Sequence, residues 1–373
     1  MSWWFGLRIN FPLQYLPTAL YVHIPWCIKK CPYCDFNSHV RAGVSAIDAE
    51  KYLAVLLRDL DSDIKHYGAR RIESIFFGGG TPSLLPGAWY EQCLKAIFKR
   101  LEPAGDIEIT MEANPGALEY DAFEAYAGAG INRISLGVQS FSDDHLAYLG
   151  RIHKAKEIDK ALVAIDKSTI KRVNIDLMYG LRKQRVAEAI SDIKQALSYQ
   201  VEHISWYQLT IEANTLFYRH KEPVAKDALI EEMEEAGLAL LAKHGYERYE
   251  VSAFAKHQAY SRHNLNYWQF NDYYGIGAGA HSKLSTLNPL RIERLHKYRH
   301  PKAYMEHQDP CASRRLIDQD QYIFEYLLNV LRLKRPIVAK DFVERTGLAF
   351  SDLQEALADV QNQGLCTIKH DNI

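Results

Sequence analysis

The chain has 373 residues, 47% of them hydrophobic, and 45 Lys and Arg against 46 Asp and Glu give a formal net charge of -1. That length and apolar content suit one large domain of α/β-barrel size with a small appendage, and the charge balance offers no global field for DNA, RNA or an acidic membrane. No apolar run reaches the roughly 18–20 residues of a membrane span, and no signal peptide is recognisable, so a cytoplasmic protein is expected.

The opening MSWWFGLRINFPLQYLPTAL is interrupted by Arg8, Asn10, Pro12, Gln14 and Pro17, and residues 1–19 read as an N-terminal extension. Trp3, Trp4 and Phe5 there are expected to form a frayed or docked N-terminal strand rather than a membrane foot. Short β-branched or apolar runs then alternate with amphipathic stretches: ALYVHI (19–24), SIFF (74–77), IEITM (107–111), RISLGV (133–138), RVNIDLM (172–178) and HISWYQL (203–209). After the first run, Tyr52, Leu53, Val55, Leu56, Leu60 and Ile64 recur at helical spacing and predict a helix from Ile47 to about Tyr67.

Six such repeats imply parallel strands joined by crossover helices, either as an open doubly wound sheet or as a closed or partly closed barrel. The polar motifs favour the barrel, because they sit at the ends of all six strands rather than at one switch point. Cys27 follows the first strand, Gly79-Gly80-Thr81 the second, Glu112 the third and Gln139 the fourth, with Asp176 in the fifth and Gln208 in the sixth. This α/β core is expected over 20–285, followed by an irregular basic connection, RIERLHKYRHPKAY, within 286–309. Three helical patterns (Gln319–Arg332, Ala339–Arg345, Ser351–Gln363) and a short strand, LCTI, make 310–373 a small winged-helix-like domain, apparently truncated at its wing.

Of six cysteines, Cys93, Cys311 and Cys366 are scattered and read as small buried hydrophobes. The other three, Cys27, Cys31 and Cys34, have CxxxCxxC spacing in HIPWCIKKCPYCDFNSH. Thiolates select zinc or iron–sulfur centres. Structural zinc wants four protein ligands, and His23 and His39 do not form a second ligand pair, so a [4Fe–4S] cubane with one open iron fits better than a zinc knuckle. The open iron can hold the amino and carboxylate groups of a methionine-type cofactor.

FGGGTP lets backbone approach a ligand or simply turns tightly. Glu112 and Asp176 could accept hydrogen bonds from ribose or an amine, or form buried salt bridges; Gln139 offers a donor and an acceptor, and Arg151 a fork for a carboxylate or a surface pair.

Together these runs resemble the radical S-adenosylmethionine (SAM) superfamily, which typically uses a partial (β/α)6 TIM-type barrel. YVHIPWCIKKCPYCDFNSH, FGGGTPSLL, ITMEANPG, NRISLGVQSF, LGRIH, SWYQLTIEANT and RHNLNYW are similar to the branch holding the oxygen-independent coproporphyrinogen III oxidases of porphyrin biosynthesis and the HemW heme chaperones. The resemblance implies a [4Fe–4S] cluster on the three cysteines and SAM contacts from Tyr21, Tyr33, Gly79, Gly80, Thr81, Glu112, Gln139, Arg151, Asp176 and Gln208.

The oxidases carry a further cysteine two residues after the triad, where this chain has Phe36, which tips the expectation from radical oxidative decarboxylation to a heme chaperone. The resemblance then implies heme and recipient hemoproteins as partners, with His263 in HNLNYW and His281 as candidate heme ligands. For His263 a structural hydrogen bond is the alternative, and for His281 a place in the cofactor pocket. A homodimer and a transient membrane-associated partner complete the expectations, without nucleic acid. Arg182 and Ser282 stand where relatives usually have Pro and Gly.

Overall fold

A computed structural model of the chain describes residues 16–41, 43–116, 123–287, 289–369 and 372–373. The strand expected around Trp3, Trp4 and Phe5 lies outside the described residues. Six parallel strands run side by side in chain order: β1 (Thr18–Ile24), β2 (Arg71–Gly79), β3 (Glu102–Ala113), β4 (Arg133–Gln139), β5 (Arg172–Tyr179) and β6 (His203–Gln208). The first five contain the apolar runs that predicted them, lengthened by pairing with neighbours that the local pattern does not see, and the sixth stops one residue short of its run.

The helix Ala46–Tyr67 shows how the crossovers are specified. Ser45 caps it by accepting the Asp48 N–H at 3.2 Å, and Gly68 stops it at φ +82°, a conformation that favours glycine. Between those signals Tyr52, Leu53, Leu56 and Leu60 form a buried stripe against the sheet.

The sheet does not close. Past β6, β7 (Glu247–Arg248) and β8 (Ala253–Ala255) form an antiparallel edge, β8 lying next to β6. On the other side β1 pairs in parallel with β9 (Asp272–Ile276), which leads to antiparallel β10 (His281–Thr286), β11 (Arg291–Lys297) and β12 (Cys311–Leu316). The result is an open sheet of twelve strands with the six predicted parallel strands at its centre.

Two expectations are corrected here. RIERLHKYRHPKAY is ordered as β11 and the helix Pro301–Glu306, because the one charge it buries, Lys297, is paired on the protein. Lys297, buried on β11, donates to Asp59 at 2.5 Å and Asp63 at 2.9 Å, both buried on the helix Ala46–Tyr67. Asp272 at the start of β9 is likewise buried and accepts from Arg70 at 2.5 Å and Lys283 at 2.8 Å. A strand pattern that hides its charges in pairs does not alternate apolar with polar.

The LCTI run forms no strand; Leu365 is exposed, and the closing residues make only isolated bridges, Val338 with Asn372 and Lys369 with Asn372. The helices Tyr322–Val330, Ala339–Thr346, Phe350–Ala356 and Ala358–Asn362 occupy the three predicted regions, and the first three share a second core with Phe270 and Ile292 through Tyr326, Phe342 and Leu353. Arg345 docks these helices on the sheet region through Asn271, 2.9 Å from Nε to Oδ1.

Candidate functional site: two adjoining cavities

The thiols stand at the C-terminal ends of the parallel strands. Trp26–Cys27 pairs with His39–Val40, which folds the intervening loop back on itself, and the Cys34 N–H donates to the Cys31 carbonyl at 3.1 Å. Lys30 closes the loop by donating to the Phe36 carbonyl at 2.8 Å. β2 delivers FGGGTP against this loop: the Gly80 N–H donates to the Ile24 carbonyl and the Thr81 N–H to the Trp26 carbonyl, both at 2.7 Å. A Cβ on Gly80 would lie 2.4 Å from the Trp26 carbonyl oxygen, and Gly79 sits at φ +110° against the His23 ring. These glycines bring two backbone segments together, which is a stricter requirement than ligand access alone.

A cavity of about 520 Å³ opens over the strand ends. Cys27, Cys31, Cys34, Tyr33, Gly79, Gly80, Thr81, Glu112, Gln139, Arg151, Asp176 and Gln208 all line it. The structure thus gathers twelve of the residues singled out in the sequence around one space. Among the described residues no three Cys, His, Asp or Glu side chains converge on a single-ion site.

A hydrogen-bond chain links two of the thiols. Thr81 Oγ1 donates to Cys27 Sγ at 3.6 Å and accepts from Asn114 Nδ2 at 3.2 Å. Arg151 Nη2 donates to Asn114 Oδ1, and its Nη1 donates to Cys31 Sγ at 3.7 Å. Every donor in the chain leads toward sulfur, the orientation that stabilises a metal-bound thiolate. Burial pushes the Cys27 and Cys34 thiols up, opposed at Cys27 by the Thr81 and Ser38 hydroxyls and at Cys34 by the Phe36 backbone.

The carboxylates lie deeper. Burial pushes Glu112 up to about 7, partly offset by the Gly79 N–H that donates to its Oε2 at 3.0 Å, while the charge of Asp176 adds to the rise. Asp176 is also raised by burial, and it accepts from Ser135 at 2.9 Å and Asn174 at 2.8 Å. It is a hydrogen-bonded acceptor in the cavity floor, not half of a salt bridge. Gln139 adopts φ +69°, rare for a residue with a Cβ, and its Oε1 accepts the Tyr207 hydroxyl at 2.7 Å.

Three candidates lie elsewhere. Tyr21 and His281 line a second cavity of about 670 Å³, which shares Asp35, Phe36, Gly79 and Glu112 with the first. The Tyr21 hydroxyl is 2.9 Å from His23 Nδ1 and does not reach the thiol cavity. His263 is buried with Nδ1 3.0 Å from Ser74 Oγ and Nε2 2.9 Å from the Tyr267 hydroxyl. Both ring nitrogens are occupied, and burial pulls the ring down to about 3, so His263 is a packing residue rather than a heme ligand. Its neighbour Asn264 lines the thiol cavity instead.

Sequence reasoning missed Asn114, Tyr207 and Asn264. Asn114 was visible inside ITMEANPG, two residues beyond Glu112; nothing local marks Tyr207 as the partner of Gln139. Of the two departures from relatives, Ser282 is buried and accepts the Gly275 N–H at 2.9 Å, and Arg182 pairs with Glu222 at 3.5 Å.

Three thiols spread over one loop at the mouth of six parallel strands define a radical-SAM-type protein, and residues 21–196 match the radical SAM superfamily while 317–373 match the HemN C-terminal domain. The heme chaperone HemW of Escherichia coli (strain K12) is 44% identical over 94% of this chain and 92% of its own, and that of Bacillus subtilis (strain 168) 32% identical over 93% and 92%. The chain belongs to the HemW family. In fold it resembles coproporphyrinogen III oxidase (HemN) from Escherichia coli, with a TM-score of 0.78 at 21% identity over 96% of this chain and 86% of that one.

Proposed function

We propose that this protein is a heme chaperone, which binds heme and passes it to hemoproteins while holding a [4Fe–4S] cluster and S-adenosylmethionine. The observation that carries the reading is the thiol cavity: Cys27, Cys31 and Cys34 face one space together with Glu112, Gln139, Arg151 and Asp176. In that cavity Arg133 Nε and Arg151 Nε are buried with no hydrogen-bond partner among the described residues, which suits a polar ligand.

The residues present fit both groups. Cys27, Cys31 and Cys34 would hold three irons, and the carboxylate and amide side chains would hold the amino acid and ribose portions of the cofactor. When bound, the reduced cluster supplies one-electron chemistry. Arg151 and Thr81 donate toward the sulfurs, and Glu112, carrying a proton near neutrality, can donate as well as accept. Phe36, exposed where the oxidases have cysteine, adds no fourth thiol.

Anaerobic reconstitution followed by heme titration tests the reading. Electron paramagnetic resonance of the reduced cluster should change when S-adenosylmethionine is added, heme should bind at about equimolar stoichiometry, and coproporphyrinogen III should yield no vinyl product. Failure to bind heme would sink the chaperone reading.

A further inference from the structure

The second cavity has a composition that the first lacks. β10 and β11 run antiparallel with His281 opposite His296, so both imidazoles emerge on one face and stack with centroids 4.5 Å apart and planes 25° from parallel. His281 is exposed, and no hydrogen bond is made by either ring among the described residues. Partial burial and the charge of His296 lower His281, and burial with nearby Arg299 lowers His296, a direction that favours the neutral ring, the form that ligates a metal.

Around this pair the wall is aromatic. Tyr267, Trp268 and Tyr273 line the cavity, Tyr267 and Tyr273 meeting edge to face at 4.5 Å, and the exposed ring of Phe36 closes the side shared with the thiol cavity. Arg299 stands at the lip, exposed, with no carboxylate within ion-pair distance among the described residues. The cavity, about 670 Å³, falls within the roughly 300–1,000 Å³ of small-molecule sites. A free imidazole, flat aromatic walls and an unpaired guanidinium are complementary to a planar macrocycle with a central metal and peripheral carboxylates.

We propose that this second cavity is the seat of the iron porphyrin, with His281 as the iron ligand, His296 stacked behind it as a positioning residue, and Arg299 holding a propionate. The proposal rests on the heme-chaperone reading and deepens it by moving heme off the HNLNYW run. It also places heme across a shared wall from the cluster cavity, with Phe36 between them.

The test titrates the anaerobically reconstituted full chain with hemin and with metal-free protoporphyrin IX, following absorption and electron paramagnetic resonance. His281→Ala should weaken hemin binding at least tenfold and shift the Soret band, yet leave metal-free protoporphyrin binding within about twofold, which also shows that the variant is folded. His296→Ala should give a smaller loss in the same direction. Arg299→Glu should weaken both porphyrins and leave the hemin Soret position unchanged. If wild type binds hemin and His281→Ala keeps its affinity and spectrum, heme sits elsewhere and this assignment is wrong, although the chaperone reading stands. If wild type binds no hemin, both fall.

Discussion

Along the thiol cavity the working side chains arrive from the ends of β1 to β6 in chain order, and each comes from a run whose strand is legible locally. Along the histidine cavity the side chains it does not share with the thiol cavity arrive from β1, β9, β10, β11, two helices and their loops, and what joins them is the antiparallel extension of the sheet. The parallel half therefore presents its chemistry as motifs. The antiparallel half presents it as a pairing register, since His281 and His296 meet only because β10 and β11 align them. Adjoining sites of similar volume can thus differ greatly in how visible they are from sequence.

The largest effect should come from breaking the thiol cavity. Cys31→Ala is expected to leave almost no [4Fe–4S] cluster after anaerobic reconstitution, measured as iron and acid-labile sulfide per chain; retention of the wild-type amount would detach the cluster from this loop. Next is the anchor of the antiparallel half. Lys297→Met leaves Asp59 and Asp63 buried without their cation and should cost about 3–5 kcal/mol in denaturant unfolding. A loss under about 1 kcal/mol would mean that β11 does not depend on this pairing.

Glu112 belongs to both cavities and gives a pH test. Its carboxyl holds a proton up to about 7 in the fold, against an ordinary value of 4.5, so the folded state binds more protons and stability falls as pH rises between those values. The ligand-free protein should lose about 1–2 kcal/mol across that interval, a figure reduced because the carboxyl edge faces the cavity, and Glu112→Gln should flatten the curve. A wild-type curve that rises over the same range would contradict the burial argument. The smallest effect is expected at the shared wall: Phe36→Cys should leave cluster iron unchanged, because three thiols already satisfy the site, and should weaken hemin binding only a few fold. A rise in cluster iron would show that the fourth thiol had joined the centre.

Much of the thiol cavity was readable in advance because its residues lie within a few positions of strand ends. Thr81 and Arg151 were singled out, and Asn114 stood in the same motif as Glu112, but its role as the amide that joins them was not legible, since a bridge between β2, β3 and a later loop exists only after the strands are parallel neighbours. Tyr21 and His263 fall outside the lining of the thiol cavity for a related reason. A strand residue points to one face or the other, and a histidine in a striking motif can have both nitrogens satisfied by a serine from β2 and a tyrosine one helical turn away. β11 was overlooked because its buried Lys297 is matched by carboxylates more than 230 residues earlier in the chain.

By itself the sequence determined the cysteine spacing, the six parallel strands with their helices, and the family that those runs mark, because spacing and hydrophobic period are local properties of the chain. Only the tertiary structure decided that the sheet stays open and grows an antiparallel side, that His281 rather than His263 faces open space, and that Phe36 stands between two cavities. Those outcomes depend on which strands pair and which buried charges find partners, and such choices are made between segments far apart in the chain.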